Sequence, residues 1–234
     1  MSKDKIQEIE SFYKKKLKKN PDHFDSIFNL ATLFLQSQRF ELAKKLLIRA
    51  IEIQPNHPGS HNNLGAAFEK LGEYEKAMKS FQKAIQINPN FAFAHYNLGK
   101  IFNDLNDPQR AKSCFVKTIS IQPNNVDAHN NLGVVYKDLG KHEKAISCYK
   151  KAIDLNPNYI NAYNNLGIIL EELNHINEAK KNFEISLKLD PNKSKTCEIY
   201  GNILLKINQH SKALAYIRKG VGFIRFTQKD FKII

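Results

Sequence analysis

The stretch His61–Gly65 reads HNNLG, and the same five letters return at His129–Gly133. The near-copies HYNLG at His95–Gly99 and YNNLG at Tyr163–Gly167 fill the gaps, so each copy starts 34 residues after the last. Glycine inside a helix costs about 1 kcal/mol relative to alanine, so its return in one register marks a place where bulk does not fit. Prolines at 21, 55, 89, 123, 157 and 191 keep the same period of 34 residues. A fixed period of that length is the signature of a solenoid. Within each period apolar residues recur at three and four, and a turn falls near the middle: SQRF, LGEY, LNDP, LGKH, LNHI and INQH. Each repeat therefore reads as two short helices, A and B.

Two antiparallel helices approach to about 8 Å only where side chains are small. That assigns Gly65 and Ala77 to the A–B contact, with Leu64, Phe68 and Phe81 filling the space beside it. Pro89 lacks the N–H needed to continue helix B and suits the start of the next helix. Stacking such pairs leaves the A helices on a concave side and the B helices mostly on a convex one.

His61, Leu64, Gly65, Phe68, Ala77, Phe81, Ala84 and Pro89 in the second repeat, and His129, Leu132, Gly133, Tyr136, Ala145, Tyr149, Ala152 and Pro157 in the fourth, form one pattern. It resembles the tetratricopeptide repeat, over about residues 24 to 224. The resemblance implies an all-α fold, a right-handed superhelical solenoid of antiparallel helix pairs. The expected division is a capping half-repeat at 1–23, repeats at 24–57, 58–91, 92–125, 126–159 and 160–193, a degenerate sixth at 194–227, and a tail at 228–234. Ala31 replaces the first repeat's glycine, and Thr118 and Ser186 replace alanines. The sixth repeat has Tyr200 for the leucine, Gly220 for an alanine and Arg225 for the proline.

The 234 residues carry a net charge of +13, built from 31 Lys and 5 Arg against 23 acids. Lysines that neutralise phosphates raise affinity for polyanions, but arginine, the planar reader of guanine edges, is scarce, and 25 Asn accompany the lysines as A+T-rich coding would give. No run of about 18 apolar residues could span a bilayer, and the amino terminus lacks the apolar segment of a secretory signal. A cytoplasmic protein is expected, with neither nucleic acid nor membrane as partner. Cys114, Cys148 and Cys197 lack CxxC spacing, so they read as core residues, not a disulfide framework or zinc site. No GxGxxG, GxxxxGK or HExxH occurs. His23-Phe24-Asp25 matches the opening of an iron-oxygenase triad but falls at a helix start, and the column His61, His95, His129 repeats at roughly 10 Å, too far apart to share a metal. The expectation is a protein that is not an enzyme and holds no metal or cofactor.

The candidate binding residues lie on helix A. Asn29, Asn63, Asn97, Asn131 and Asn165 hold one position in five successive repeats. An amide offers donors and an acceptor to a peptide backbone whatever its side chains, and one repeat of about 10 Å passes roughly three extended residues at 3.3 Å each. Phe28, Phe93 and Tyr96 are the apolar anchors on that face, and Asn62, Asn130 and Asn164 add polar groups. The competing reading is that the asparagines satisfy neighbouring helix groups. Similar ladders occur in the repeats of peptide-modifying glycosyltransferases. A chaperone carboxylate clamp, known from related arrays, is argued against: its later asparagine position holds Thr32, Ala66, Lys100, Val134 and Ile168, and the A helices carry no arginine. Asp25, Glu69, Asp104, Asp127, Asp138, Glu171 and Glu172 make the same face mildly acidic, so the expected ligand is a neutral or basic segment of a protein.

Two functions follow. The first is a scaffold holding an extended or helical peptide of a partner in the concave groove. The second is the substrate-recruiting module of a larger or associated enzyme of glycosyltransferase, sulfotransferase or oxygenase type. At the front, KKKLKK (Lys14–Lys19) reads as the soluble end of a capping helix, with its positive charge favourable at a helix carboxyl terminus. At the back, Phe223, Ile224, Phe226, Phe231, Ile233 and Ile234 need cover, from a fold-back over the last repeat or from a partner or further domain docking there.

Overall fold

A computed structural model of the chain describes residues 3–221, 224–226 and 231–233. The helix pairs expected from the period are present. Residues Met1–Pro123 form one compact unit and Asn124–Ile234 a second. In the first, α1 (Lys3–Lys19) precedes three pairs: α2 (Phe24–Gln36) with α3 (Phe40–Ile53), α4 (Pro58–Lys70) with α5 (Tyr74–Ile87), and α6 (Ala92–Asp104) with α7 (Pro108–Ile121). In the second, the pairs are α8 (Val126–Asp138) with α9 (His142–Leu155), α10 (Ile160–Glu172) with α11 (Ile176–Leu189), and α12 (Ser194–Lys206) with α13 (His210–Val221). Each pair packs internally and against the next pair of its own unit. After the helices, two short strands, β1 (Ile224–Phe226) and β2 (Phe231–Ile233), pair antiparallel, with Ile224 opposite Ile233 and Phe226 opposite Phe231. The cover expected for the apolar side chains from Phe223 to Ile234 lies outside the described residues.

Every A helix ends in the same way. Gln38, Gly72, Asn106, Gly140, Asn174 and Asn208 stand 34 residues apart with φ between +58° and +78°. After each, a backbone N–H reaches back to the helix: Arg39 to Phe34 O, Glu73 to Phe68 O, Asp107 to Phe102 O, Lys141 to Tyr136 O, His175 to Leu170 O and Gln209 to Leu204 O, at 2.8 to 2.9 Å. This is the Schellman closure, which needs a left-handed residue and so favours Gly or Asn. Four helix starts are fixed by side chains: His23, His57, Asp107 and Asn125 accept the N–H of Ser26, Ser60, Arg110 and Ala128.

The A–B contact explains the glycine column more narrowly than the sequence reading did. A Cβ built on Gly65, Gly99, Gly133 or Gly167 would stand 2.7, 2.9, 2.5 or 2.7 Å from the ring of Phe81, Phe115, Tyr149 or Phe183. The missing side chain thus makes room for an aromatic ring of helix B, while Ala43, Ala77, Ala111, Ala145, Ala179 and Ala213 lie fully buried beside it. Burying one such ring contributes about 1.5–3 kcal/mol. In the first repeat the ring's place is taken by Leu47, fully buried with Ala31 in one cluster, so a smaller partner accompanies the larger residue. Gly220 is also accounted for. Its Cβ would lie 2.6 Å from Ser194 O and 2.7 Å from Glu198 N, so α13 meets α12 backbone to backbone where other repeats carry Ala, Thr or Ser.

Candidate peptide-binding face

Successive A helices are joined by amides. In the first unit Asn97 Nδ2 donates to Asn62 Oδ1 at 3.2 Å, Asn62 Nδ2 to Asn63 Oδ1 at 3.2 Å, Asn63 Nδ2 to Thr32 Oγ1 at 3.1 Å, and Thr32 Oγ1 to Phe28 O at 2.9 Å. One relay thus runs through α6, α4 and α2. In the second unit Asn165 Nδ2 donates to Asn130 Oδ1 at 3.0 Å and Asn130 Nδ2 to Asn131 Oδ1 at 3.3 Å. Asn62 and Asn130 are buried, Asn63, Asn97, Asn131 and Asn165 half-buried, and Asn29 exposed. Asn164 is the exception. Its Oδ1 is buried without a partner, because Ile199 stands where a further asparagine would donate.

Asn62, Asn130 and Thr32 are therefore the acceptors that the sequence reading left in the background. The signal was present as an offset of 35 residues between 62 and 97 and between 130 and 165, one more than the repeat. The inter-repeat bonds use one N–H of Asn63, Asn97 and Asn165 and leave each amide a second N–H.

Of the three aromatic anchors, Phe93 is the most open: it is 59% exposed, with its ring tilted against that of Phe91 at 6.1 Å. Phe28 stacks on Phe24 with centroids 5.9 Å apart and meets His57 edge-on at 5.0 Å, and Tyr96 packs on Phe115 at 5.9 Å.

Several acids on this face are answered by bases. Lys100 reaches Glu69 at 3.1 Å, Lys137 reaches Glu172 at 3.2 Å, Lys206 reaches Glu171 at 2.5 Å, and the Tyr159 hydroxyl donates to Asp127 at 2.6 Å. Asp25, Asp104 and Asp138 are exposed, and none of the three forms an ion pair among the described residues.

The histidine column closes the turns between repeats. His61 Nε2 lies 2.8 Å from Pro55 O and His95 Nε2 3.0 Å from Pro89 O, where the protonated nitrogen donates to the carbonyl. Cys197 Sγ takes the same place against Pro191 O at 3.7 Å. His23 caps α2 through Nδ1. No group of three metal-ligating side chains occurs among the described residues. Burial pushes the Cys114 and Cys148 thiols up to about 11, so they stay protonated at neutral pH.

No described helix is long and apolar enough to cross a membrane. Three family models, each described as tetratricopeptide repeat, match residues 58–91 and 126–159, residues 80–113 and 148–181, and residues 1–66. No curated protein matches the sequence. Among solved structures, one from a functional characterisation of Pseudomonas aeruginosa PilF is similar at 19% identity and TM-score 0.76, over 82% of this chain and 88% of that one. MamA is similar at 27% identity and TM-score 0.63, over 71% and 97%. YrrB, described as a TPR protein with an unusual peptide-binding site, is similar at 17% identity and TM-score 0.63, over 84% and 97%. The period, the glycine–ring contacts, the paired helices and these matches together place the chain in the tetratricopeptide repeat family.

Proposed function

We propose that the chain is a protein-interaction scaffold whose A-helix face holds an extended or helical segment of a partner, partly through its asparagines. The observation that supports this reading is that Asn63, Asn97 and Asn165 are half-buried amides, each fixed by one bond to the preceding repeat and each keeping a second N–H. An amide whose rotamer is already set loses less freedom on binding, so the inter-repeat bond and the peptide contact are compatible uses of one side chain. Each rung contributes about 0.5–1.5 kcal/mol, which describes weak and general binding with selectivity left to neighbours. Exposed Phe93 is the apolar contact. The segment is neutral or basic, because Lys100, Lys137 and Lys206 are tied to carboxylates while Asp25, Asp104 and Asp138 are not.

Asn29 provides the test, since it is exposed and has no inter-repeat bond to lose. Peptide arrays probed with the intact chain identify ligands, and titration then compares Asn29→Ala and Phe93→Ala with the parent. Weaker peptide binding at unchanged melting temperature is expected for both, and acidic peptides should bind less well than matched basic ones. Identical affinities in both variants would sink the reading.

A further inference from the structure

We propose that the outer face of α1 docks on anionic phospholipid headgroups, with the helix lying along a membrane surface. By sequence KKKLKK reads as a soluble capping end with no membrane partner; the structure adds where the run points and what lies beside it. α1 packs through Ile6, Ile9, Tyr13 and Leu17 onto the core of the first repeats. At about 100° per residue, four residues turn outward, Phe12, Lys15 and Lys19 on the far side and Lys16 at its edge, with Asp4 and Glu8 the acids on that side. All four are exposed, and Phe12 is 54% exposed. Lys16 Nζ sits 4.7 Å above the Phe12 ring, so an apolar group stands among ammonium groups. Glu10, which could neutralise the run, is already shared by Lys14 at 2.7 Å and Arg39 at 2.5 Å. No acid lies between Lys14 and Lys19.

Lysines with long apolar stems around one aromatic ring match a headgroup layer, where the ring enters the interface and the ammonium groups stay with phosphate. A nucleic acid fits less well. The arginines of the first unit, Arg39, Arg49 and Arg110, are bound to Glu10, Asp22 and Asp107, which leaves no planar donor for phosphate or base edges.

Vesicle flotation of the full chain tests this, with phosphatidylcholine vesicles against vesicles that also contain phosphatidylserine. Binding to the anionic vesicles alone, and its loss at high salt, are expected. Each lysine near such a surface contributes about a fivefold factor, so K15Q/K16Q/K18Q/K19Q should bind at least about tenfold less while keeping its helical circular dichroism. The chain has no tryptophan, so F12W is a clean reporter whose emission should shift to the blue with anionic vesicles only. Should the quadruple variant fail to fold, the F12W and salt readings on folded protein decide alone. Absence of flotation, an unshifted F12W spectrum, or lysine-dependent capture of single-stranded RNA without vesicle binding would overturn the proposal.

Discussion

Asn97 of α6 donates to Asn62 of α4 across 3.2 Å, and Asn165 of α10 repeats that bond to Asn130 of α8 at 3.0 Å. Asn164 holds the acceptor position one repeat further on, but its Oδ1 is buried and unpaired, and Ile199 takes the donor's register position. Removing a partnered acceptor loses a hydrogen bond and leaves a half-buried donor, about 1–2 kcal/mol together. Asn130→Ala should therefore destabilise the chain by that amount in urea denaturation, and Asn164→Ala by less than half of it. Equal losses would show that the inter-repeat amide bond contributes nothing.

A Cβ on Gly133 would fall 2.5 Å from the ring of Tyr149, which is fully buried. Overpacking of this kind costs about 1–3 kcal/mol. Gly133→Ala should lose that much, and adding Tyr149→Leu should recover part of it, because Ala31 with Leu47 already realises the smaller pairing in the first repeat. A double-mutant cycle measures the coupling, which is expected to be favourable. Strictly additive losses would contradict the contact.

How far the sequence could be read follows from the range of each interaction. The glycine and proline columns were legible because a local conformational cost repeated in register has few explanations. Gly65 reads from sequence as an A–B contact residue, but Phe81 does not read as its particular partner, since which side chain enters a gap depends on the relative rotation of two helices. The reach of His61 to Pro55 O across six residues depends on the turn between repeats, which composition does not encode. The Asn62–Asn97 pair was hidden because Phe28 and Tyr96 interrupt the same column. The strands at 224–226 and 231–233 follow short apolar runs whose periodicity does not separate strand from helix.

Gln38 occupies the left-handed position with φ +60°, where Gly72 and Gly140 stand in the second and fourth repeats. A side chain there costs roughly 1 kcal/mol. Gln38 is exposed and nothing lies within 4 Å of a Cβ on Gly72, so backbone conformation alone is at stake. Gln38→Gly should raise stability by about 0.5–1 kcal/mol, and Gly72→Ala should lower it by a similar amount. Thermal melting of the two single variants reads both signs, and a loss in Gln38→Gly would refute the argument.

His57 caps α4 by accepting the Ser60 N–H on Nδ1 at 3.1 Å, and its ring lies edge-on to Phe24 and Phe28 at 4.9 and 5.0 Å. Burial holds the imidazole below the ordinary histidine value of 6.5, with Asp25 drawing it back up and His61 adding a further downward push. A protonated ring cannot accept, so between 6.5 and the lower folded value the unfolded chain binds more protons than the native one. Stability must then fall as pH drops through that window and level off above it. His57→Asn keeps a side-chain acceptor at the cap but cannot titrate. Denaturation at pH about 7.5 and about 5.5 should show a smaller pH-dependent loss in His57→Asn than in the parent; equal losses would place the titrating group elsewhere.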